Sequence, residues 1–308
     1  MFARRHPFLF FFLSLTGMTL VFVTIITLLV TWPSDKTARF DRGEKVGVVE
    51  INGVIIEARQ ILKQLKTFRE SAGIKAVVLR INSPGGAVGP SQEIYREIAK
   101  TIEEKKVVAS LATVAASGGY YIASATNDIV ASPGTITGSI GVVMSYTNLE
   151  ELFEKLGLSP VVVKSGQYKD IASPMRTMKP DEKEILQAFA EDIHRQFVED
   201  VAAGRDISVE EVSRLADGRI YTGSRAKELG LIDRFGNLED AIDLAGQLGG
   251  IEGKVTAVYP PKKDKFSLLE LLLGSSAKNL VQQLMAGQGF SQDLSGNISG
   301  GYLYQPGR

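Results

Sequence analysis

The chain has 308 residues, 44% of them apolar, which is enough for one large domain or two small ones with sizeable cores. Its 35 basic and 35 acidic residues cancel, so no net field draws it to nucleic acid. It has no cysteine, which excludes thiol nucleophiles, thiolate zinc sites and disulfides, and only His6 and His194 are available as imidazole bases.

Nothing from Pro7 to Ser34 is charged. Roughly 20 apolar residues cross a bilayer as a helix, so residues 1–34 read as a membrane anchor with its span over 8–32. A cleaved signal peptide has a shorter apolar region, about 7–15 residues, ending in a small-x-small site; here the run ends in Thr31-Trp32-Pro33. Trp32 suits the interface. Orientation stays open on charge alone, because Arg4 and Arg5 on one side are answered by Lys36, Arg39 and Arg42 on the other. Residues 35–45 read as a polar tether, and residues 46–260 as the folded domain.

That domain has an α/β pattern. Lys45–Ile51 reads as a strand ended by the Asn52-Gly53 turn, and residues 57–70 as a helix through Ile61, Leu62, Leu65 and Phe68. Ala76–Ile81 reads as a second strand, residues 90–104 as a helix and Val107–Leu111 as a third strand. Helices are expected near 147–156, 180–203, 208–216 and 237–247. Short strands are expected near 128–131, 140–144, 160–164 and 255–259. Repeated strand–helix units of this length predict a largely parallel sheet covered by helices. His194, in the charged stretch Glu191-Asp192-Ile193-His194-Arg195-Gln196, is expected on a solvated helix face.

Four segments carry chemistry. Asn82-Ser83-Pro84-Gly85-Gly86 ends the second strand; paired glycines allow positive φ and close approach, so two amides can converge on one oxygen, although an ordinary turn has the same composition. Ser117, in Ala115-Ala116-Ser117-Gly118-Gly119-Tyr120-Tyr121, stands where a helix begins and is either a nucleophile or an N-cap. Ser139, in Thr137-Gly138-Ser139-Ile140-Gly141, is either turn chemistry or a hydroxyl that orients a base. Lys169, in Lys164-Ser165-Gly166-Gln167-Tyr168-Lys169-Asp170, is either a solvated loop lysine or a base, and a lysine is a base only when neutral, a form that burial favours.

In this order the four segments resemble the signal peptide peptidase SppA family in its short, single-unit bacterial form. The Ser117–Lys169 interval is similar to the family's nucleophile–base interval, and Gly218–Gly223 with Ala226–Asp233 adds to a likeness that covers roughly residues 46–259. The resemblance implies an α/β fold of the Clp-protease/crotonase-like type, built from repeated β-β-α units, with one N-terminal transmembrane helix. It implies a serine endopeptidase with a Ser-Lys dyad: Ser117 as nucleophile, Lys169 as general base, Ser139 orienting the lysine, and an oxyanion hole from the amides of Gly118 and of Gly86, favoured over Gly85. It further implies cleaved signal peptides and other apolar peptides as substrates, membrane lipid around residues 8–32, and a homo-oligomeric ring. The expected place is the cytoplasmic membrane, with the N-terminus in the cytoplasm and the protease outside. No metal, other cofactor or nucleic acid is required.

Rival readings are a related membrane serine protease that works with stomatin-like partners, a crotonase-like acyl-CoA enzyme, and a non-catalytic membrane scaffold. An acyl-CoA enzyme needs neither the serine nor the lysine. Beyond Pro260 the chain reads as an extension, residues 261–308, with a leucine-rich start and a Gly, Ser, Asn and Gln tail.

Overall fold

In the computed structural model, residues 5–31, 43–260 and 301–303 are described. The first helix, α1 (Pro7–Thr31), runs 25 residues and contains no Asp, Glu, Lys or Arg. Over the described side chains alone, no helix is long and apolar enough to cross a membrane; Phe8, Leu9, Phe10, Phe11, Phe12 and Leu13 are all exposed. The tether over 35–42 and the leucine-rich stretch after 260 lie outside the described residues.

The domain opens with β1 (Lys45–Asn52), α2 (Arg59–Glu70), β2 (Ile74–Ser83) and the short β3 (Gly85–Ala87). Next come α3 (Val88–Ile102), the long β4 (Lys106–Ala116) and α4 (Gly118–Ser124). The strands β5 (Asp128–Ala131) and β6 (Ile136–Gly138) lead into α5 (Glu150–Lys155) and the long α6 (Pro180–Arg205). The remainder is α7 (Val209–Leu215), β7 (Ile220–Thr222), α8 (Gly223–Glu228), β8 (Arg234–Phe235), α9 (Leu238–Leu248), β9 (Ala257–Val258) and β10 (Gly301–Leu303).

The main sheet runs β7-β6-β4-β2-β1-β9, and β5 pairs with the first half of β4 and carries β8. Every pairing in it is parallel except β6–β7. Alternation along the central strands sends Val77 and Leu79 to one face and Ala76 and Val78 to the other. The first face packs Leu65, Phe68, Ile94, Ile98 and Phe197; the second packs Ala241, Ile242 and Ala245 of α9. Parallel strands buried on both faces carry continuous apolar runs, as Ala76–Leu79 does in β2 and Val107–Ala109 in β4.

One irregularity positions the site. Ile81 of β2 faces Leu111 of β4, but two residues later Ser83 faces Ala115, four residues further along. The extra length in β4 is accommodated as the Val114 amide donates to the Asn82 side chain at 3.4 Å. The Ser-Pro-Gly-Gly turn is thereby brought level with the end of β4, where Ser117 follows.

Two expected strands are absent. Neither 140–144 nor 160–164 forms a strand among the described residues: Ile140 is buried and its carbonyl accepts the Gly218 amide at 3.0 Å, whereas Val161 and Val163 are 88% and 95% exposed. A strand needs a partner for its backbone groups, and a run of valines does not supply one. The expected strand at 255–259 is reduced to Ala257–Val258, whereas Asp128–Ala131 forms over its full expected length. The short β7, β8 and α8 had no distinctive pattern in the sequence.

Candidate active site

Ser117 is the joint between β4 and α4. Its backbone has φ 53° and ψ −121°, a conformation L-residues rarely adopt, and its hydroxyl makes no capping hydrogen bond. Such strain costs about 1–3 kcal/mol and persists where surrounding structure over-determines it, often at functional sites. A serine on a strained strand-to-helix turn can present its hydroxyl above the strand ends, the device known as a nucleophile elbow. The residue is 1% exposed, and its amide donates to the Gly138 carbonyl at 2.8 Å.

The helix behind it is locked against the Ser-Pro-Gly-Gly turn. A Cβ at Gly119 would stand 2.7 Å from the Ser83 carbonyl oxygen, so only glycine lets the first turn of α4 approach this closely. The Gly85 amide donates to the Ser83 hydroxyl at 3.1 Å, and the Ile55 amide donates to the Gly85 carbonyl at 2.9 Å. The Ala87 amide donates to the Ile55 carbonyl at 2.8 Å. Because successive backbone groups of a strand face opposite edges, the Gly86 amide points away from Ile55. A Cβ at Gly86 would lie 2.1 Å from the Ile55 carbonyl oxygen. The edge that Gly86 faces is taken by the chain's own tail: β10 pairs antiparallel with β3, placing Tyr302 opposite Gly86 and Leu303 opposite Gly85.

Ser139 follows β6, which lies parallel beside the end of β4, with Ala116 level with Gly138. It too has positive φ, 52°, and its amide donates to the Arg219 carbonyl at 2.8 Å. Next to it is a cleft of about 330 Å³ walled by Ser139, Val142, Val143, Ala190, His194 and Asp217. The expected solvated position of His194 is thus corrected: its Nε2 is buried without a hydrogen-bond partner. The stripe Gln187, Ala190, Glu191, His194 on α6 borders the buried stripe Ile193, Phe197, Val201, and a charged sequence context conceals that neighbourhood.

Lys169 lies on a different segment, between β6 and α6. It is exposed, on a turn closed by its own amide donating to the Gly166 carbonyl at 3.1 Å. Among the described residues no hydrogen bond joins it to Ser117 or Ser139. The turn itself is firmly held. The Asp170 carboxylate accepts from Lys164 and, at 3.0 Å, from Arg176 Nε. Arg176 also forks onto Glu182, at 2.8 and 2.5 Å. Hydrogen bonds from Arg176 and then Lys164 hold the Asp170 carboxyl well below the usual carboxylate range. Arg176 first, with the Lys179 amide, brings Glu182 down to about 2. Sequence reasoning passed over Arg176 and Glu182. The available signal was the helix start Pro180-Asp181-Glu182 with an arginine six residues upstream of the glutamate.

The structure therefore gathers Ser117, Gly118, the Ser-Pro-Gly-Gly turn and Ser139 around the ends of β4 and β6, and holds Lys169 on an exposed turn with no hydrogen bond to them among the described residues. Among the described residues there is no cluster of side chains able to hold a metal.

A strained serine beside a glycine turn, at the ends of parallel strands, sits within a mixed α/β fold that carries a Clp-protease-like domain. Residues 49–135 match the Clp protease family and residues 99–252 match peptidase family S49. The chain is 44% identical over 269 residues to a Synechocystis sp. protein named as a protease, covering 87% of this chain and 91% of that one. It is 39% identical over 214 residues to an Enterococcus faecium protein named signal peptide peptidase SppA, covering 65% of this chain and 62% of the relative. It is 36% identical over 261 residues to the chloroplastic serine protease SPPA of Arabidopsis thaliana, covering 81% of this chain and 39% of the relative. The chain belongs to peptidase family S49, the family of SppA, and is a serine protease.

Proposed function

We propose that the chain is a membrane-anchored endopeptidase with a Ser-Lys dyad that degrades residual signal peptides and other apolar peptides after their release. The strained geometry of Ser117 is the observation that carries this reading: the protein spends about 1–3 kcal/mol to hold one serine in place. Neutral Lys169 takes the Ser117 proton as its Oγ attacks the peptide carbonyl. The amides of Gly86 and Gly118 receive the oxyanion, the lysine protonates the leaving amine, and water then cleaves the acyl-enzyme. Ser139 orients the lysine.

Gly86 is preferred to Gly85 because the Gly85 amide is already donated to Ser83. A peptide substrate joins β3 as an added antiparallel strand, the place where Gly301–Leu303 lies. Alongside runs a groove of about 860 Å³ with a mixed wall, Val54, Ile55, Ile56 and Ile61 standing among Glu50, Glu57, Gln60 and Gln64, which suits the apolar side chains of a peptide whose backbone needs polar partners.

Assembly into a homo-oligomeric ring completes the reading. Leu156, Leu158, Val161, Val162 and Val163 are exposed on the same excursion that carries Lys169, and contiguous apolar surface of this kind marks an interface. Burying it would desolvate the lysine and favour its neutral form. The α1 helix, about 37 Å long at 1.5 Å per residue, is the anchor in the cytoplasmic membrane, with the N-terminus inside and residues 46–308 outside.

An active-site serine probe of the fluorophosphonate type, applied to the full chain, tests the chemistry. Labelling of the wild type is expected, with none in Ser117→Ala and a large loss in Lys169→Ala and Lys169→Arg, since a guanidinium stays protonated. Labelling that survives Ser117→Ala overturns the nucleophile. Labelling that survives Lys169→Ala but fails in folded His194→Gln moves the base to the histidine beside Ser139.

A further inference from the structure

We propose that Arg176 is a positioning residue for the base: it grips the Lys169 turn through Asp170 and ties that turn to α6, the helix that also braces the helix behind Ser117. The inference rests on the reading of Lys169 as general base.

Arg176 holds both ends of Asp170, the residue next to Lys169. Its Nε donates to the carboxylate at 3.0 Å, and its Nη2 donates to the backbone carbonyl at 3.1 Å. That carbonyl also accepts the Ser173 amide at 3.1 Å, so the arginine reinforces the last of three overlapping turns, 166–169, 168–171 and 170–173, that set the backbone at Lys169. The other end of the guanidinium is fixed by its fork to Glu182. The Glu182 side chain is 1% exposed and caps α6, accepting the Lys179 amide at 3.0 Å. A fork onto Glu182 and a two-point hold on Asp170 from one guanidinium define an orientation that a point charge does not.

Further along the same helix, Phe197 meets Tyr121 of α4 edge-on, with ring centroids 4.9 Å apart, and Asp200 accepts the Tyr121 hydroxyl. One rigid element of 26 residues thus links the base turn at its start to the nucleophile helix near its far end, at Phe197 and Asp200.

The cluster also settles local charge. Two carboxylates, Asp170 and Glu182, face two cations, Lys164 and Arg176. Around them, Asp181 accepts from Gln167 at 3.4 Å and from Tyr168 at 3.3 Å, and Glu150 accepts from the Thr177 amide and hydroxyl, each at 2.6 Å. With Arg176 present, the carboxylate beside Lys169 is committed to other partners. Without it, Asp170 and Glu182 are left with one cation between them and favour a charged lysine.

The experiment compares full-length wild type, Arg176→Met, Arg176→Lys, Arg176→Met/Asp170→Asn and Lys169→Ala on an apolar reporter peptide, with circular dichroism and melting to establish folding. Arg176→Met is expected to lower kcat about 100-fold, the scale of a 1 Å misplacement, with KM nearly unchanged. The rising limb of its pH–rate profile should move alkaline by about one unit. A purely structural role does not produce that movement. Removing the Asp170 charge in the double variant should return the limb toward the wild-type position. Arg176→Lys should keep the limb and still lose kcat, because it restores the charge without the fork and the two-point hold. Should Arg176→Met not fold, Arg176→Lys decides: wild-type kcat in that variant overturns the proposal. A folded Arg176→Met with wild-type kcat and an unmoved limb, alongside an inactive Lys169→Ala, overturns the positioning role alone. Full activity in Lys169→Ala overturns both this role and the dyad.

Discussion

The Ser117 amide donates to the Gly138 carbonyl at 2.8 Å, which ties the strained turn of one serine to the residue preceding a second strained serine, Ser139. The two sit at the ends of β4 and β6, adjacent parallel strands, and both have φ near +50°. Displacing either strand end therefore displaces both hydroxyls. Neither serine is replaced by glycine, the residue that adopts such angles freely, so a hydroxyl is retained at both positions despite the backbone cost.

That cost is measurable. Ser117→Gly should lose all peptidase activity and melt higher than the wild type. Relief of about 1–3 kcal/mol of strain exceeds the added chain entropy of glycine, about 0.4–1 kcal/mol. At roughly 2–4 °C per kcal/mol for a chain of this size, the rise is resolvable by calorimetry. Ser117→Ala should be equally inactive without the rise, because alanine keeps the Cβ. A lower melting temperature for Ser117→Gly than for Ser117→Ala would show that the turn is unstrained.

The sheet was legible where burial on both faces forces apolar runs. Lys45–Ile51 and Ala76–Ile81 differ from the observed strands by no more than two residues at either end. The helices with clear periodicity, residues 57–70 and 237–247, behave likewise. What failed was residues 140–144, where Ile140 is buried in the core without a strand forming, and residues 160–164, where the apolar run is exposed surface. Within the candidate site, the glycine turn was legible because few residue types tolerate its backbone positions, whereas Ser117 and Ser139 were singled out by the resemblance their flanking segments carry, serine alone giving no signal of positive φ. The Arg176–Glu182 fork was not, since charged residues six apart carry no periodic signature. The cleft beside His194 was hidden because it is built from α6 together with residues 139–143 and 216–218, which only the tertiary fold brings together.

The tail strand leads to a second expectation. Because Gly301–Leu303 pairs with Gly85–Ala87, a substrate strand competes with it. A tethered segment acts at an effective concentration in the millimolar range, so the apparent affinity for short peptides falls with the fraction of sites it fills. Deleting residues 301–308 should lower KM for a short apolar peptide several-fold with little change in kcat, and a synthetic peptide of residues 301–308 should inhibit the truncated chain competitively. An unchanged KM together with no inhibition would place substrate elsewhere.

Anchoring is tested on α1. With Phe8, Leu9 and Phe10 exposed along an uncharged helix, the full chain should stay with membranes through alkaline carbonate extraction, whereas a chain lacking residues 1–34 should be released. In spheroplasts, added protease should digest residues 46–308. A fully protected domain would reverse the orientation, and carbonate release of the full chain would refute the span.

Acid should loosen the base turn in a defined window. The Arg176 fork holds Glu182 at about 2 in the folded chain, against 4.5 for the ordinary side chain, and Asp170 is depressed in the same sense by Arg176 and Lys164. A carboxylate with a depressed folded value binds its proton more readily when unfolded. Its stabilisation is therefore full above about 4.5 and disappears as pH falls toward about 2. Glu182→Gln removes the ionisation but keeps the shape. The melting temperature of this variant should lie below that of the wild type at pH 7, and the gap should close between pH 4.5 and about 2 as the wild-type carboxylate takes up its proton. A gap that is constant down to pH 2 would mean the fork acts through shape alone. In that case Arg176 would hold the Lys169 turn without governing the charge around it, and only the kcat loss expected for Arg176→Met would remain, not the movement of its pH limb.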